Sequence, residues 1–243
     1  MITVFADGAS SGNPGPGGWG AIVLDESQQV QELAGGDPHT TNNKMELKAI
    51  LAALRLIHEK NLPGQSVTIH TDSSYVIKGI TQWIQGWKRN GWKTAEGKDV
   101  LNRDLWEALS EAAQALQPRK LTWNYVPGHA GIPGNDRVDE MAVQESKKIR
   151  PTLYQGPLSS YGIDLSDLTP RAEALAAKKD KKRQAPSTGP AYYLSFVGAN
   201  VHRDSTWAEC EARVKGVSGA RYKKVTSLEE EKETLKSWGV RAD

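Results

Sequence analysis

Two apolar runs, Ile2-Thr3-Val4-Phe5-Ala6 and Val67-Thr68-Ile69-His70-Thr71, each end directly in an aspartate, Asp7 and Asp72. Runs of this length and composition read as core strands, so both acids stand at strand C-termini. A third acid, Glu46, falls within a helix expected from about Asn42 to Lys60. A 3.6-residue period puts it on the face shared by Ile50, Ala53, Leu54 and Ile57, the face that packs inward. A carboxylate there is costly unless a cation accompanies it. The fourth, Asp139, sits on the last expected helix of the same region. An apolar or neutral residue would serve the fold better at all four positions.

Four acidic oxygen donors with no cysteine nearby suit a hard cation, Mg²⁺ or Mn²⁺ as its substitute, rather than zinc. Two such ions roughly 3.5–4 Å apart can hold the attacking and leaving oxygens of an in-line phosphoryl displacement. A single Asp after a strand is more often a cap or a turn. The four together in these contexts point to a two-ion site.

The chain has 243 residues, room for one large domain or two unequal ones. No stretch approaches the roughly 18 consecutive apolar residues of a membrane helix. The first core strand begins at Ile2, so no signal peptide is expected. Cys210 is the single cysteine, which excludes an intrachain disulfide and agrees with a reducing, cytoplasmic setting. Net charge is +2 overall but unevenly spread: −4 over residues 1–146, +5 over 147–190 and +1 over 191–243. The basic middle segment reads as a solvated linker able to touch phosphate.

Strands at Ile2–Ala6, about Trp19–Leu24 and about Val30–Ala34 form an expected antiparallel meander. After the Glu46 helix come the strand ending at Asp72, a short helix from Ser73 toward Ile80, a helix over about Val100–Leu116, a strand over Leu121–Val126 and the Asp139 helix. Strands separated by helices imply parallel crossovers. The glycine-rich Asn13–Gly18 stretch has no Gly-Lys-Ser/Thr ending and opens no helix, so it reads as a hairpin turn.

Four segments in order, Asp7-Gly8-Ala9-Ser10-Ser11-Gly12-Asn13, Thr40-Thr41-Asn42-Asn43-Lys44-Met45-Glu46-Leu47, Thr71-Asp72-Ser73-Ser74 and Gly128-His129-Ala130-Gly131 through Asp139-Glu140, resemble type 1 ribonuclease H. The resemblance covers residues 1 to about 146. It implies an α/β fold, a ribonuclease H-like mixed five-stranded sheet flanked by helices, and hydrolysis of the RNA strand of RNA–DNA hybrids to 3′-hydroxyl and 5′-phosphate ends. Asp7, Glu46, Asp72 and Asp139 would be the metal ligands and His129 would assist proton transfer or product release. Asn13, Thr41 and Asn42 would grip a phosphate of the DNA strand. Asn13, Asn42, Asn43 and the backbone near Gly8 and Glu46 would read the 2′-hydroxyl. Ser74 stands where one branch of the family has a longer amide, so a base-edge contact there would be shortened. The Trp83–Lys93 stretch resembles the family's basic protrusion, with Lys88, Arg89, Trp92 and Lys93 as DNA-strand contacts and Trp83 as packing. His39, His58, His70 and His202 receive no role.

From residue 147 to 189 periodicity weakens, and a basic flexible linker is expected. Residues 190–243 resemble the small α/β hybrid-binding (viroplasmin-like) domain that many ribonucleases H carry at the other end of the chain. Thr206-Trp207-Ala208-Glu209-Cys210 and Ala220-Arg221-Tyr222-Lys223-Lys224 carry that resemblance. Trp207 and Tyr222 would stack on sugars, with Arg221, Lys223 and Lys224 on phosphate. The expected partner is an RNA–DNA hybrid, with double-stranded RNA left open, and the chain is expected to be monomeric. Integrases and resolvases share the architecture but lack the Asn13, Thr41-Asn42-Asn43 and Gly-His-Ala-Gly combination. The alternative from another class is a non-catalytic hybrid or double-stranded RNA binder, which would have no need of all four acids.

Overall fold

A computed structural model describes residues 1–12, 14–174, 192–198, 200–217, 219–225 and 228–240. The chain divides into two compact units, Met1–Ala176 and Ala177–Asp243.

In the first unit β1 (Ile2–Ser10), β2 (Gly15–Leu24) and β3 (Gln29–Thr40) form the antiparallel meander. Helix α1 (Asn42–Glu59) carries the chain over to β4 (Ser66–Thr71), which lies parallel beside β1. The short α2 (Ser74–Lys78) runs through a π turn at Gly79–Trp83 into α3 (Ile84–Arg89). Next, α4 (Arg103–Ala115) leads to β5 (Lys120–Tyr125), parallel to β4, and α5 (Pro133–Ser146) follows.

The sheet has six strands in the order β5-β4-β1-β2-β3-β6, not the five expected. The sixth, β6 (Gln155–Pro157), pairs antiparallel with β3. Three residues with a proline at one end carry almost no strand signal, which is why the sequence reads as linker there. The linker expectation is therefore corrected over its first part. Tyr161 and Leu165 are buried against Phe5, Ile22, Ile132 and Met141, so residues 151–171 belong to the first unit. The whole Lys178–Arg183 cluster and the expected linker from residue 175 onward lie outside the described residues.

Alternation along β1 sorts the two cores. Ile2, Val4 and Ala6 face α1 and α4, together with Leu47, Ile50, Leu54 and Trp106. Phe5 faces α5 with Val138 and Met141. By the same two-residue period Asp7 follows Phe5 to the α5 side, while Gly8 turns toward α1.

The second unit is a three-stranded antiparallel sheet, β8-β7-β9, built from β7 (Tyr192–Val197), β8 (Asn200–Asp204) and β9 (Arg221–Val225). Helices α6 (Trp207–Val214) and α7 (Leu228–Ser237) complete it. Thr206 opens α6 with a full capping box to Glu209, as the Thr-x-x-Glu spacing predicts.

Candidate active site

Strands β1 and β4 are hydrogen-bonded neighbours running in the same direction, so Asp7, which lies inside β1 and not at its end as expected, stands beside Asp72, which directly follows β4. Helix α1 reaches them because residue 8 is glycine. A Cβ there would stand 2.3 Å from the Glu46 backbone nitrogen and 2.4 Å from the Met45 carbonyl carbon. Helix α5 approaches from the other face in the same way. A Cβ on Gly20 would meet the Val138 carbonyl oxygen at 2.7 Å, and α5 carries Asp139.

Three of the acids, Glu46, Asp7 and Asp139, are held by donors of the protein itself. Asn42 Nδ2 donates to Glu46 Oε1 at 2.9 Å and Ser73 Oγ donates to Glu46 Oε2 at 2.5 Å. The Gly8 N–H donates to Asp7 Oδ1 at 2.7 Å. His129 Nδ1 lies 3.3 Å from Asp139 Oδ2. A Cβ on Gly128 would meet Asp72 Oδ2 at 1.9 Å, so the loop before α5 presses directly on that carboxylate.

Electrostatics bind the set together. Burial, then repulsion from Asp72, Asp139 and Glu46, pushes the Asp7 carboxyl up to about 8 against the pull of the Gly8 N–H. Burial also raises Glu46, aided by Asp72 and opposed by Ser73 and Asn42. Asp139 is raised by burial and by Asp136, with His129 acting against the shift. Among the described residues no three such side chains converge into a closed cage. All-oxygen donors held close, whose charged forms are penalised by burial, fit hard divalent ions.

The other expected contacts divide. Asn43 and Ser74 are exposed beside the acids, at the first turns of α1 and α2. Thr41 serves as the N-cap of α1, accepting from the Lys44 N–H. Asn13 lies outside the described residues. Trp92 is corrected as a surface contact: at 8% exposure it is core, packed with α4 residues and capped by Arg103 5.5 Å above its ring. Lys88 donates to Ser110 Oγ and Lys93 pairs with Asp99, while Arg89 is exposed and has no side-chain partner among the described residues. Trp83 packs on Tyr75 and Trp87, as expected, yet keeps 37% of its surface open.

Ser73 was not among the expected site residues, although it touches Glu46 and also caps α2 by accepting from the Val76 N–H. Its position between Asp72 and a helix start is the signal that marks it. His70, given no role, is buried and stacked on Phe5 at 4.8 Å, and burial holds its imidazole below the usual range.

Residues 1–147 match the family model described as RNase H. The chain belongs to the ribonuclease H family. Residues 205–233 match the ribonuclease H1 N-terminal domain, placed here at the C-terminal end of the chain. The chain is 53% identical over 142 residues to Ribonuclease H of Bradyrhizobium sp. (strain ORS 278), covering 58% of this chain and 87% of that one. Ribonuclease H of Brucella anthropi is 54% identical over 155 residues, 64% of this chain and 94% of that one. Among solved structures LC9-RNase H1, a type 1 RNase H with the type 2 active-site motif, aligns with a TM-score of 0.55 at 28% identity. That alignment covers 71% of this chain and 89% of the other.

In the second unit of this ribonuclease H, strand alternation splits the five expected contacts between two faces. Tyr222 and Lys224 point to the side of α6, where Trp207 stacks 5.1 Å from Tyr222 and 5.5 Å from Tyr193. Lys224 sits over the Tyr193 ring at 5.9 Å. Arg221 and Lys223 point the other way, toward α7. There Arg221 donates to the Trp238 carbonyl, and Lys223 pairs with Glu230 at 3.3 Å. Trp207, Tyr222 and Lys224 thus share one face with Tyr193, and Arg221 and Lys223 lie on the other. Among the described residues no helix is long and apolar enough to cross a membrane.

Proposed function

We propose that the chain hydrolyses the RNA strand of RNA–DNA hybrids at the Asp7, Glu46, Asp72 and Asp139 site, leaving 3′-hydroxyl and 5′-phosphate ends. The four carboxylates would hold two Mg²⁺ ions, with Mn²⁺ as a substitute. The observation that carries this reading is the acid cluster itself, three of whose members are pushed upward first by burial and then by neighbouring carboxylates, inside a ribonuclease H fold. When bound, the ions supply the positive charge that favours attack by water on phosphorus and departure of the 3′-oxygen.

The chain's own residues do the rest. Asn42 and Ser73 orient Glu46, and the Gly8 N–H orients Asp7. His129 lies on an exposed loop, with a backbone φ of 51°, next to Gly131 at 76°. From there it moves a proton near Asp139 or helps product leave. Asn43 and Ser74, exposed at two helix N-termini beside the acids, are the polar groups suited to the minor groove and its 2′-hydroxyl. Arg89 supplies charge toward the DNA strand, with Lys88 and Lys93 able to exchange their present partners for phosphate.

The aromatic face of the second unit supports hybrid binding by stacking Trp207, Tyr222 and Tyr193 on the nucleic acid with Lys224 beside them. Tethering this module to the catalytic unit raises local concentration and favours repeated cutting of long hybrids.

The test is cleavage of a labelled RNA–DNA hybrid with Mg²⁺ by the wild type and by Asp72→Asn, beside duplex DNA and duplex RNA. Cutting confined to the RNA strand of the hybrid and lost in the variant supports the reading. Binding of hybrid without cutting by the wild type overturns it in favour of a binding protein.

A further inference from the structure

The family match ends at residue 147, yet the chain continues across the α5 face of the first unit and at Arg171 reaches the loop that carries His129. Strand β6 fixes the start of this crossing, and Tyr161 and Leu165 bury into the core beneath it. Arg137 donates to the Thr152 carbonyl at 2.9 Å, and Glu32 accepts from the Tyr154 N–H and the Tyr161 hydroxyl. At the far end the Arg171 N–H donates to the Ala130 carbonyl at 2.7 Å. The Arg171 side chain lies over Gly131 so closely that a Cβ on the glycine would meet its Cβ, Cγ and Cδ at 2.9–3.0 Å. Its guanidinium stands 3.8 Å from Asp167 within the same segment.

A loop opens the more easily the fewer backbone hydrogen bonds hold it, so one formed from outside limits how far it moves. Ala130 is buried and His129, one residue earlier, is exposed. Fixing the Ala130 carbonyl therefore fixes where the imidazole stands relative to Asp139.

We propose that residues 151–171 are a strap that holds the His129 loop in place, with Arg171 as a positioning residue for His129. The proposal rests on the reading that His129 serves the reaction. Arg171 does not touch the acids; it acts by removing freedom from the loop, through a backbone hydrogen bond and a side chain lying where only glycine leaves space.

The test uses the full chain with Arg171→Ala, which removes the side chain over Gly131, and Arg171→Pro, which removes the N–H as well. Each is made in the wild type and in His129→Ala, and kcat, KM and hydrogen exchange at residues 128–132 are measured. The expected result is a fall in kcat of about tenfold for Arg171→Pro and less for Arg171→Ala, with KM nearly unchanged. Neither change should lower kcat further in the His129→Ala background, and loop amides should exchange faster in both variants. Losses that multiply in the two backgrounds, or a rise in KM that grows with salt, overturn the proposal by assigning Arg171 to another role. Unaltered exchange overturns it as well. If His129→Ala alone leaves kcat intact, the reading of His129 fails, and the exchange data still decide whether Arg171 anchors the loop.

Discussion

Arg137 on α5 and Glu32 on β3, 105 residues apart, form a two-pronged ion pair: Nε to Oε1 at 2.8 Å and Nη2 to Oε2 at 2.9 Å. The Glu32 side chain is fully buried. Burial alone would raise its carboxyl, but hydrogen bonds from Arg137, Tyr161 and the Tyr154 N–H outweigh it and hold the group below the usual range. One buried carboxylate thus joins the sheet, the helix bearing Asp139 and the segment that follows the catalytic core.

Removing Glu32 leaves the largely buried Arg137 with only the exposed Glu140 as a charged partner. Glu32→Ala should destabilise the first unit by about 3–5 kcal/mol in urea unfolding. Because the folded carboxyl is depressed, its contribution is present above the ordinary value of 4.5 and is lost as pH falls through the lower folded value. The acid limb of a Tm-versus-pH curve should therefore be less steep in Glu32→Gln than in the wild type.

Asp7 behaves oppositely. Its carboxyl rises from 3.8 to about 8, so its contribution to the metal-free protein is present below pH 3.8 and is lost as pH climbs through about 8. Metal-free Tm should decline over that window. Asp7→Asn should remove this part of the decline, and saturating Mg²⁺ should reverse it in the wild type while releasing protons measurable by calorimetry in two buffers.

Ser73→Ala takes one donor from Glu46 and the cap from α2. Loss of the cap should cost about 1 kcal/mol. Loss of the Glu46 contact should raise the Mg²⁺ concentration needed for half-maximal cleavage by about ten- to a hundredfold. Ser73→Thr, which keeps the hydroxyl, should recover most of the metal dependence.

Tryptophans alike in sequence should separate in experiment. Trp92→Ala opens a core cavity and should cost about 3–5 kcal/mol with no change in the salt dependence of hybrid binding by the folded fraction. Trp207→Ala and Tyr222→Ala should weaken hybrid binding by about 1–3 kcal/mol each in a fluorescence titration. Lys224→Ala should flatten the salt slope by about one unit, and Lys223→Ala, engaged with Glu230, should flatten it much less.

The contrast between Trp92 and Trp207 shows where sequence reading reaches its limit. Both follow a polar stretch and stand near basic residues, and motif spacing alone assigns both to substrate. Burial separates them, and burial depends on where α4 comes to lie. Lys223 and Lys224 differ for a simpler reason, since a strand sends neighbours to opposite faces, and only the position of α7 decides which face is occupied.

The sequence by itself determined the strands that carry Asp7 and Asp72, the inward face of the helix bearing Glu46, the cap that starts α6 and the order of the four acid motifs. These are local patterns, set by side-chain period and by capping chemistry over a few residues. Tertiary structure decided that Ser73 bridges to Glu46 and that residues 151–171 close over the sheet. It also split the C-terminal basic residues between two faces and brought the Arg171 N–H to Ala130. Each of these depends on groups far apart in the chain meeting at a spacing of a few ångströms, and no local pattern encodes such a meeting.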